Sequence, residues 1–474
     1  MIFGIDLIEQ SRSALRAPDG TDFSYGDLAG CVREMADIIQ VKSLSFCMCR
    51  NVPGSVMGYL GLADGGAAPL LLDAGLARDQ FKNLFDHYRP YYLWIPEDMR
   101  GDYQAFITEK IYERGGYGLY VTGCDKTDLN PDLAILLATS GSTGNPKLVR
   151  LSWTNLESNA GAIRDYLGID EKERPITTLP MHYTYGLSII NSHLIAGACI
   201  LMTTVSYVQQ PFWDFFAKEK ATSFGGVPFT YEILNRIHIF DKKLPSLTTC
   251  TQAGGKLSPE LQMKVARWAK ENGSRFFVMY GQTEATARMA YLPPEDCLKK
   301  PGSMGIPIPG GRFEIIDPDG NVIEEAGKSG ELVYIGPNVS LGYANERGDL
   351  IRGDDNKGRL LTGDIARRDE DGYYYIVGRK KRFLKIFGIR VSLDECENIL
   401  KKKFPGAVIF CSGQDNDLKI YSTDEAAARD GAAYLSDQLR QSRRAFSSYY
   451  ISKIPRNEYG KILYKEFDKY AESR

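Results

Sequence analysis

Between two apolar runs, Leu133-Ala134-Ile135-Leu136-Leu137 and Leu148-Val149-Arg150-Leu151-Ser152-Trp153, lies a loop rich in hydroxyls and glycine: Thr139, Ser140, Gly141, Ser142, Thr143, Gly144, Asn145, Pro146 and Lys147. Its backbone N–H groups, hydroxyls and single positive charge suit a polyphosphate. It is not a Walker A loop, which ends in Gly-Lys-Ser/Thr. Here Pro146 replaces the second glycine and Leu148 stands at the hydroxyl position. Proline has no N–H to donate, so such a cradle must work by another geometry. A polar hairpin joining two strands is the other reading of these residues.

Three further segments carry chemistry-bearing side chains. Tyr280-Gly281-Gln282-Thr283-Glu284 follows the apolar run Phe276-Phe277-Val278-Met279. Its aromatic ring can stack on a purine, its hydroxyl can bond a phosphate oxygen, and its carboxylate can hold Mg²⁺. Thr362-Gly363-Asp364 reads as a polar turn after Leu360-Leu361. Its carboxylate can take both hydroxyls of a ribose, and an ordinary Asx-turn fits equally. Pro455-Arg456-Asn457-Glu458-Tyr459-Gly460-Lys461 sets a lysine after a glycine on a turn, where a solvated surface lysine is the plain alternative.

The elements that must position these residues alternate between helical and strand patterns. Ser24 to Gln40 predicts a helix capped by Ser24, with Leu28, Val32, Met35, Ala36 and Ile39 on one face. Ser55 to Asp64 predicts another helix, and 67–72 a buried strand. Thr154-Asn155-Leu156-Glu157 has the form of a capping box for a helix running to about Leu167. Strands are expected at 176–179 and 198–203, flanking a helix at 187–196. Further strands at 223–228, 248–255 and 275–281 each run into a glycine-containing turn. This alternation predicts a layered α/β fold with parallel strands. In such sheets ligands lie at the carboxyl ends of the strands, so the three glycine-rich ends are expected to share a crevice. From about Gly302 short strands with Asp-Gly turns predict a β-rich subdomain.

At 474 residues the chain is too long for one ordinary core. Fifty-eight Lys and Arg against 60 Asp and Glu leave a net charge of −2, which makes no electrostatic case for nucleic acid or an anionic membrane. Nine cysteines without metal spacing suit a reducing compartment. No apolar run reaches the length of a membrane span, and no basic-then-apolar leader opens the chain, so a cytoplasmic protein is expected.

Taken together and in this order, the segments resemble the adenylate-forming superfamily of acyl-CoA synthetases, nonribosomal adenylation domains and luciferases. Residues 139–147 match its phosphate loop, and 280–284 its aromatic-Gly-x-Thr-Glu motif. Thr362-Gly363-Asp364, Gly378-Arg379 and 455–461 match its later signatures. The resemblance implies an α/β fold: a large multi-layered N-terminal core over residues 1–378, made of α/β sheets plus a β-rich subdomain, and a small mobile α+β lid over 379–474 with a hinge near Lys381. It implies that Thr139, Ser140, Gly141, Ser142, Thr143, Gly144 and Lys147 hold the β- and γ-phosphates of ATP. Gly254, Gly255, Lys256, Tyr280 and Gly281 would frame the adenine. Thr283 would bond the α-phosphate and Glu284 would bind Mg²⁺. Asp364, helped by Arg379, would take the ribose, and Lys461 would bridge the substrate carboxylate and the α-phosphate. One position departs: the family usually has glycine after the loop lysine, and this chain has Leu148.

The resemblance also implies the reaction, activation of a carboxylic acid to an acyl-adenylate followed by transfer to a pantetheine thiol. Pro180 to Leu194 resembles the segment lining the family's acyl pocket. His182 would gate the carboxylate there, while Tyr183, Tyr185, Val227 and Phe229 would shape the pocket or serve as core. This segment contains no Asp or Glu. A buried ammonium without a counter-charge is costly, so an acid lacking an α-amino group is expected and a stand-alone amino-acid adenylation enzyme is the alternative. The acceptor thiol would sit on coenzyme A or on a separate acyl carrier protein, with Lys380, Arg382, Arg443 and Arg444 available to either. A non-catalytic nucleotide-binding protein would be expected to lack Lys461, Glu284 or Asp364, and all three are present. A luciferase-like oxidation has no identifiable mark.

Overall fold

Ser24 begins the first long helix as its chemistry requires. In the computed structural model, its hydroxyl accepts from the Asp27 N–H and the Asp27 carboxylate accepts from the Ser24 N–H. The helix Tyr25–Ile38 then buries Leu28, Val32 and Met35. The structure describes residues 1–138, 147–380, 382–456, 462–469 and 471–472. The helix after the phosphate-loop segment departs from expectation at its start. It spans Trp153–Leu167, and its cap is Ser152 with Asn155 as the reciprocal partner, not Thr154 with Glu157. Ser152 ends a strand in extended conformation, which leaves its hydroxyl free to turn back on the first helical N–H groups.

Two units separate by contact density: Met1–Arg312 with Tyr334–Leu360, and Phe313–Val333 with Leu361–Arg474. The first contains two large sheets. The nine-stranded one runs in the order Ile306–Pro307, Ala290–Leu292, Arg275–Tyr280, Thr249–Gln252, Ser223–Gly226, Pro175–Ile176, Ile200–Leu201, Ser13–Arg16, Asp22–Ser24. The eight-stranded one runs Gly342–Ala344, Leu148–Ser152, Leu133–Ala138, Pro69–Asp73, Ser45–Cys49, Tyr92–Pro96, Tyr117–Val121, Glu109–Arg114. One apolar cluster joins both sheets, through Leu15 and Ile200 on one side and Trp94, Ile135 and Val149 on the other, to helices Tyr25–Ile38, Pro53–Asp64, Trp153–Leu167 and Thr184–Leu194. The helices are therefore packed between sheets, the layered α/β arrangement expected from the alternation.

Strands Ser223–Gly226, Thr249–Gln252 and Arg275–Tyr280 are parallel neighbours, so their glycine-rich carboxyl ends lie side by side. Leu133–Ala138 and Leu148–Ser152 pair antiparallel on either side of the 139–147 segment. Leu148 is fully buried and its strand also pairs with Gly342–Ala344. That explains the departure from glycine. This chain continues straight into a strand and uses a core side chain there, in the cluster with Leu136, Ala344 and Leu350.

The second unit carries most of a four-stranded sheet in the order Arg312–Ile316, Ser329–Ile335, Arg359–Arg368, Tyr374–Arg379. It also has a hairpin of Phe383–Ile386 with Ile389–Ser392, helices Leu393–Lys403 and Glu425–Gln438, and strands Ile409–Gln414, Asp417–Ser422 and Phe446–Ile451. Leu400, Ile409, Ile420 and Leu435 form its own core. Thr362-Gly363-Asp364 is not a turn, as expected from its composition, but the middle of the strand Arg359–Arg368. Gly363 supplies a φ of +70° within it, a kink that a side chain would resist.

Candidate functional site

At the end of the strand Arg275–Tyr280 the chain turns through Gly281 into the short helix Thr283–Ala285. A Cβ on Gly281 would lie 1.6 Å from the Ala287 carbonyl oxygen, so only glycine fits. Thr286 and Ala287 both have positive φ, 59° and 121°, and complete a tight return into the strand Ala290–Leu292. This sharp reversal puts Tyr280, Thr283 and Glu284 half-exposed at and just past the strand's carboxyl end. The side chain of Gln282 donates to the Tyr280 hydroxyl at 3.3 Å.

Glu284 is held by a residue that the sequence did not single out. The Tyr343 hydroxyl donates to Glu284 Oε1 at 2.6 Å, and the Ser340 N–H donates to the Glu284 carbonyl at 2.9 Å. Burial and then the Glu284 charge push the Tyr343 pKa upward, so it remains a donor. The Tyr343 ring faces the Lys147 ammonium at 5.4 Å, a cation–π distance. Lys147 and Glu284, 137 positions apart by number, thus share one tyrosine. Nothing in the spacing of Gly342-Tyr343-Ala344 foreshadows this. The strand register, with Tyr343 opposite Val149, brings it there.

Tyr183, Val227 and Gly254 converge. A Cβ on Gly254, at φ +81°, would stand 2.7 Å from the Tyr183 hydroxyl and 3.1 Å from a Val227 methyl. Gly255 lies against Pro228, and Lys256 is exposed. Tyr185 bonds Thr251 Oγ1 at 2.8 Å and Tyr183 packs edge-on to it at 6.5 Å. The Asn51 side chain clamps the preceding segment, accepting from the Met181 N–H at 3.0 Å and donating to the Leu179 carbonyl at 3.0 Å. Burial lowers the His182 pKa, with Asp73 acting against it. Asp73, at the end of Pro69–Asp73, was not foreseen either.

Asp364 and Arg379 face each other across paired strands in the second unit, with Arg379 Nε 3.1 Å from Asp364 Oδ1. Of the four cations expected to be available to an acceptor, Arg382 is committed elsewhere. It pairs with Asp394 at 3.0 Å and Glu397 at 2.6 Å and stacks on the Tyr464 ring at 4.2 Å. Lys380 pairs with Glu331 at 2.6 Å, while Arg443 and Arg444 are exposed. The loop residues Thr139, Ser140, Gly141, Ser142, Thr143 and Gly144, together with Lys381, expected near a hinge, and Lys461, lie outside the described residues. No described helix is long and apolar enough to cross a membrane.

Residues 9–344 match the family model described as AMP-binding enzyme. A long-chain-fatty-acid–CoA ligase of Escherichia coli O157:H7 is 30% identical over 72% of this chain and 62% of its own length. An indoleacetate–CoA ligase of Aromatoleum aromaticum is 26% identical over 83% of this chain and 80% of its own. The chain spans about half the length of other curated relatives it matches, 51% of the probable CoA ligase CCL9 of Humulus lupulus. Among solved structures, O-succinylbenzoate coenzyme A synthetase (MenE) from Bacillus subtilis in complex with AMP superposes with a TM-score of 0.77 at 21% identity, covering 98% of this chain and 96% of that one. ATP-bound MatB from Rhodopseudomonas palustris gives 0.77 at 22% identity, with 99% of each chain covered. At these identities the likeness is one of fold.

Proposed function

This chain belongs to the AMP-binding enzyme family, and on that premise we propose that it activates a carboxylic acid with ATP, releasing pyrophosphate, and passes the acyl group from the adenylate to a pantetheine thiol. The observation that carries this reading is the turn at 280–284, where Tyr343 fixes Glu284 beside Lys147.

In this reading Lys147 and the hydroxyls at 139–143 grip the leaving pyrophosphate. Gly254, Gly255, Lys256, Tyr280 and Gly281 frame the adenine, and Thr283 donates to the α-phosphate. The Asp364–Arg379 pair takes the ribose. Among the described residues no group of three or more His, Cys, Asp or Glu is placed to hold a metal. A lone carboxylate suits Mg²⁺, which keeps most of its water and binds through one or two protein oxygens plus phosphate. When bound at Glu284, Mg²⁺ would neutralise phosphate charge. Tyr343 would keep that carboxylate oriented. A carboxylate approaching an α-phosphate meets like-charge repulsion, which a cation bridging the two anions would relieve, the role this reading gives Lys461. Holding both reactants in place contributes about 7–11 kcal/mol. His182, neutral in its buried setting, admits the acid past Tyr183, Tyr185 and Val227.

Domain division at 378/379, with a hinge near Lys381, is part of this proposal, because a moving lid can both deliver Lys461 and keep water from the anhydride. Coenzyme A, named in the CoA-ligase relatives, is the preferred acceptor. A separate acyl carrier protein is the second, with exposed Arg443 and Arg444 open to either. All nine cysteines are free thiols, which fits a reducing, cytoplasmic setting. Amino-acid activation is the rival, and the lack of Asp and Glu from Pro180 to Leu194 weighs against it.

Pyrophosphate release across fatty, aryl, hydroxy and amino acids tests the reading, repeated with coenzyme A and with a holo carrier protein. Stimulation by at least one acid and one thiol is expected. Release that no acid stimulates would overturn it in favour of a nucleotide-binding protein.

A further inference from the structure

Two arginines are almost fully enclosed in the first unit, and they are treated differently. Arg150, 0% exposed, pairs with Asp355 at 2.7 Å and donates to the carbonyls of Leu341, Tyr343, Arg352 and Gly353. Arg288, 2% exposed, has only neutral partners among the described residues. Its Nε donates to Ser188 Oγ at 3.1 Å and its Nη1 to the Tyr166 hydroxyl at 3.2 Å, with Met279 Sδ at 3.4 Å and the Tyr185 ring at 5.1 Å. Among the described residues no Asp or Glu forms an ion pair with it. A buried cation without a counter-charge is expensive, and such charges are ordinarily paired.

Arg288 also lines a cavity of about 20 Å³, enough for one water-sized group. His193, Thr251, Gly225 and Ser223 share that lining. Among the described residues the buried Ser223 hydroxyl has no hydrogen-bond partner. Glu173, which lines the cavity as well, is held by the hydroxyls of Thr222 and Thr248 instead. The cavity adjoins the acyl-pocket candidates, since Gly225 lies two residues before Val227 and Thr251 is bonded to Tyr185.

We infer that Arg288 reads a second anionic group on the acid, so that the substrate is a short dicarboxylic acid whose far carboxylate enters beside Ser223 and Thr251. This rests on the proposed acid-activating function and names its substrate class. A fixed cation with an unanswered hydroxyl beside it supplies what a far carboxylate lacks on leaving water, a charge and donors, and offers a methyl end nothing. Specificity built from buried polar groups is steep, because the wrong ligand leaves them unpaired.

The test compares dicarboxylic acids with monocarboxylic acids and half-esters of equal chain length, by pyrophosphate release. The diacid should be favoured about 100-fold in kcat/KM. Arg288→Gln should abolish that preference, with thermal unfolding confirming that the variant is folded. Should it fail to fold, Ser223→Val leaves Arg288 in place and fills the cavity. It should raise KM for the diacid and so narrow the diacid's preference over the monoacid. Monoacids activated as well as or better than diacids by the unaltered protein would overturn the inference while leaving the acid-activating function standing. If no acid is activated, calorimetry with the diacids decides. Binding lost in Arg288→Gln or Ser223→Val upholds the site, and no binding to the unaltered protein overturns it.

Discussion

The Tyr343 hydroxyl sits 2.6 Å from Glu284 Oε1, and its ring faces the Lys147 ammonium at 5.4 Å. One aromatic side chain thus holds the candidate metal ligand and the only described residue of the phosphate-loop stretch 139–147. A hydrogen bond to a charged group contributes about 1.5–3 kcal/mol. Tyr343→Phe keeps the ring and loses the bond, so adenylate formation should fall roughly tenfold or more, and the Mg²⁺ concentration for half-maximal rate should rise. Pyrophosphate release over a Mg²⁺ titration reads both. An unchanged titration would show that Glu284 needs no such support.

Gly281 tolerates no side chain, because a Cβ would meet the Ala287 carbonyl oxygen at 1.6 Å. Gly281→Ala should displace the whole 280–287 turn and so remove adenylate formation, with a stability loss of about 2–3 kcal/mol. Urea unfolding alongside the activity assay measures both, and wild-type values in either would contradict the geometry.

Leu148→Gly restores the residue usual in the family and should harm this chain. Leu148 is fully buried in the cluster with Leu136 and Ala344. Losing a core leucine together with gaining a glycine in a strand costs about 4 kcal/mol. A fall in unfolding temperature of several degrees is expected. Tolerance of the change would mean that the strand's packing adds little.

Lys461→Ala should nearly abolish adenylate formation from acid and ATP, yet spare thioester formation from supplied acyl-adenylate, since only the first step has two anions to bridge. Equal loss of both half-reactions, followed separately by pyrophosphate release and thiol consumption, would sink the role.

His193 gives the fold a pH dependence. Burial lowers its pKa to about 4, Arg288 pushes the same way, and the hydrogen bond to the Ile189 carbonyl opposes them. The unfolded histidine titrates near 6.5, so between these values the unfolded chain binds more protons. Stability is therefore complete above about pH 6.5 and declines as pH falls towards about 4. The His193 contribution between pH 7 and 5 is about 2 kcal/mol. His193→Phe should flatten that part of the urea-midpoint profile. A slope as steep as before would assign the dependence to other groups.

Much was legible in the chain itself. Ser24 announced the cap of the first long helix because cap and helix are local, while the reciprocal bond from Asp27 came from the structure. The parallel strands Ser223–Gly226, Thr249–Gln252 and Arg275–Tyr280 were visible because runs punctuated by glycine need no distant partner. Cap chemistry misled only where two candidates lay close together: Ser152 outcompeted Thr154 because the strand before it ends in the extended conformation a cap requires. Thr362-Gly363-Asp364 looked like a turn because its composition is that of one, and it is strand instead, with Asp364 opposite Arg379 and Ile365 opposite Gly378.

The order and residue types of the segments around Lys147, Glu284, Asp364 and Lys461 were enough to indicate the family and the kind of chemistry, since charge, hydroxyl and glycine content are properties of the chain. Register and burial were not. That Tyr343 meets Glu284 depends on Gly342–Ala344 pairing with Leu148–Ser152, a contact between residues almost two hundred positions apart. That Arg150 is answered by Asp355 while Arg288 has only neutral partners among the described residues depends on what each guanidinium is buried against. A side chain's charge is written in the sequence. Whether that charge is paired is decided by packing, because the pairing energy depends on distance and on the exclusion of water, and only the tertiary structure sets these.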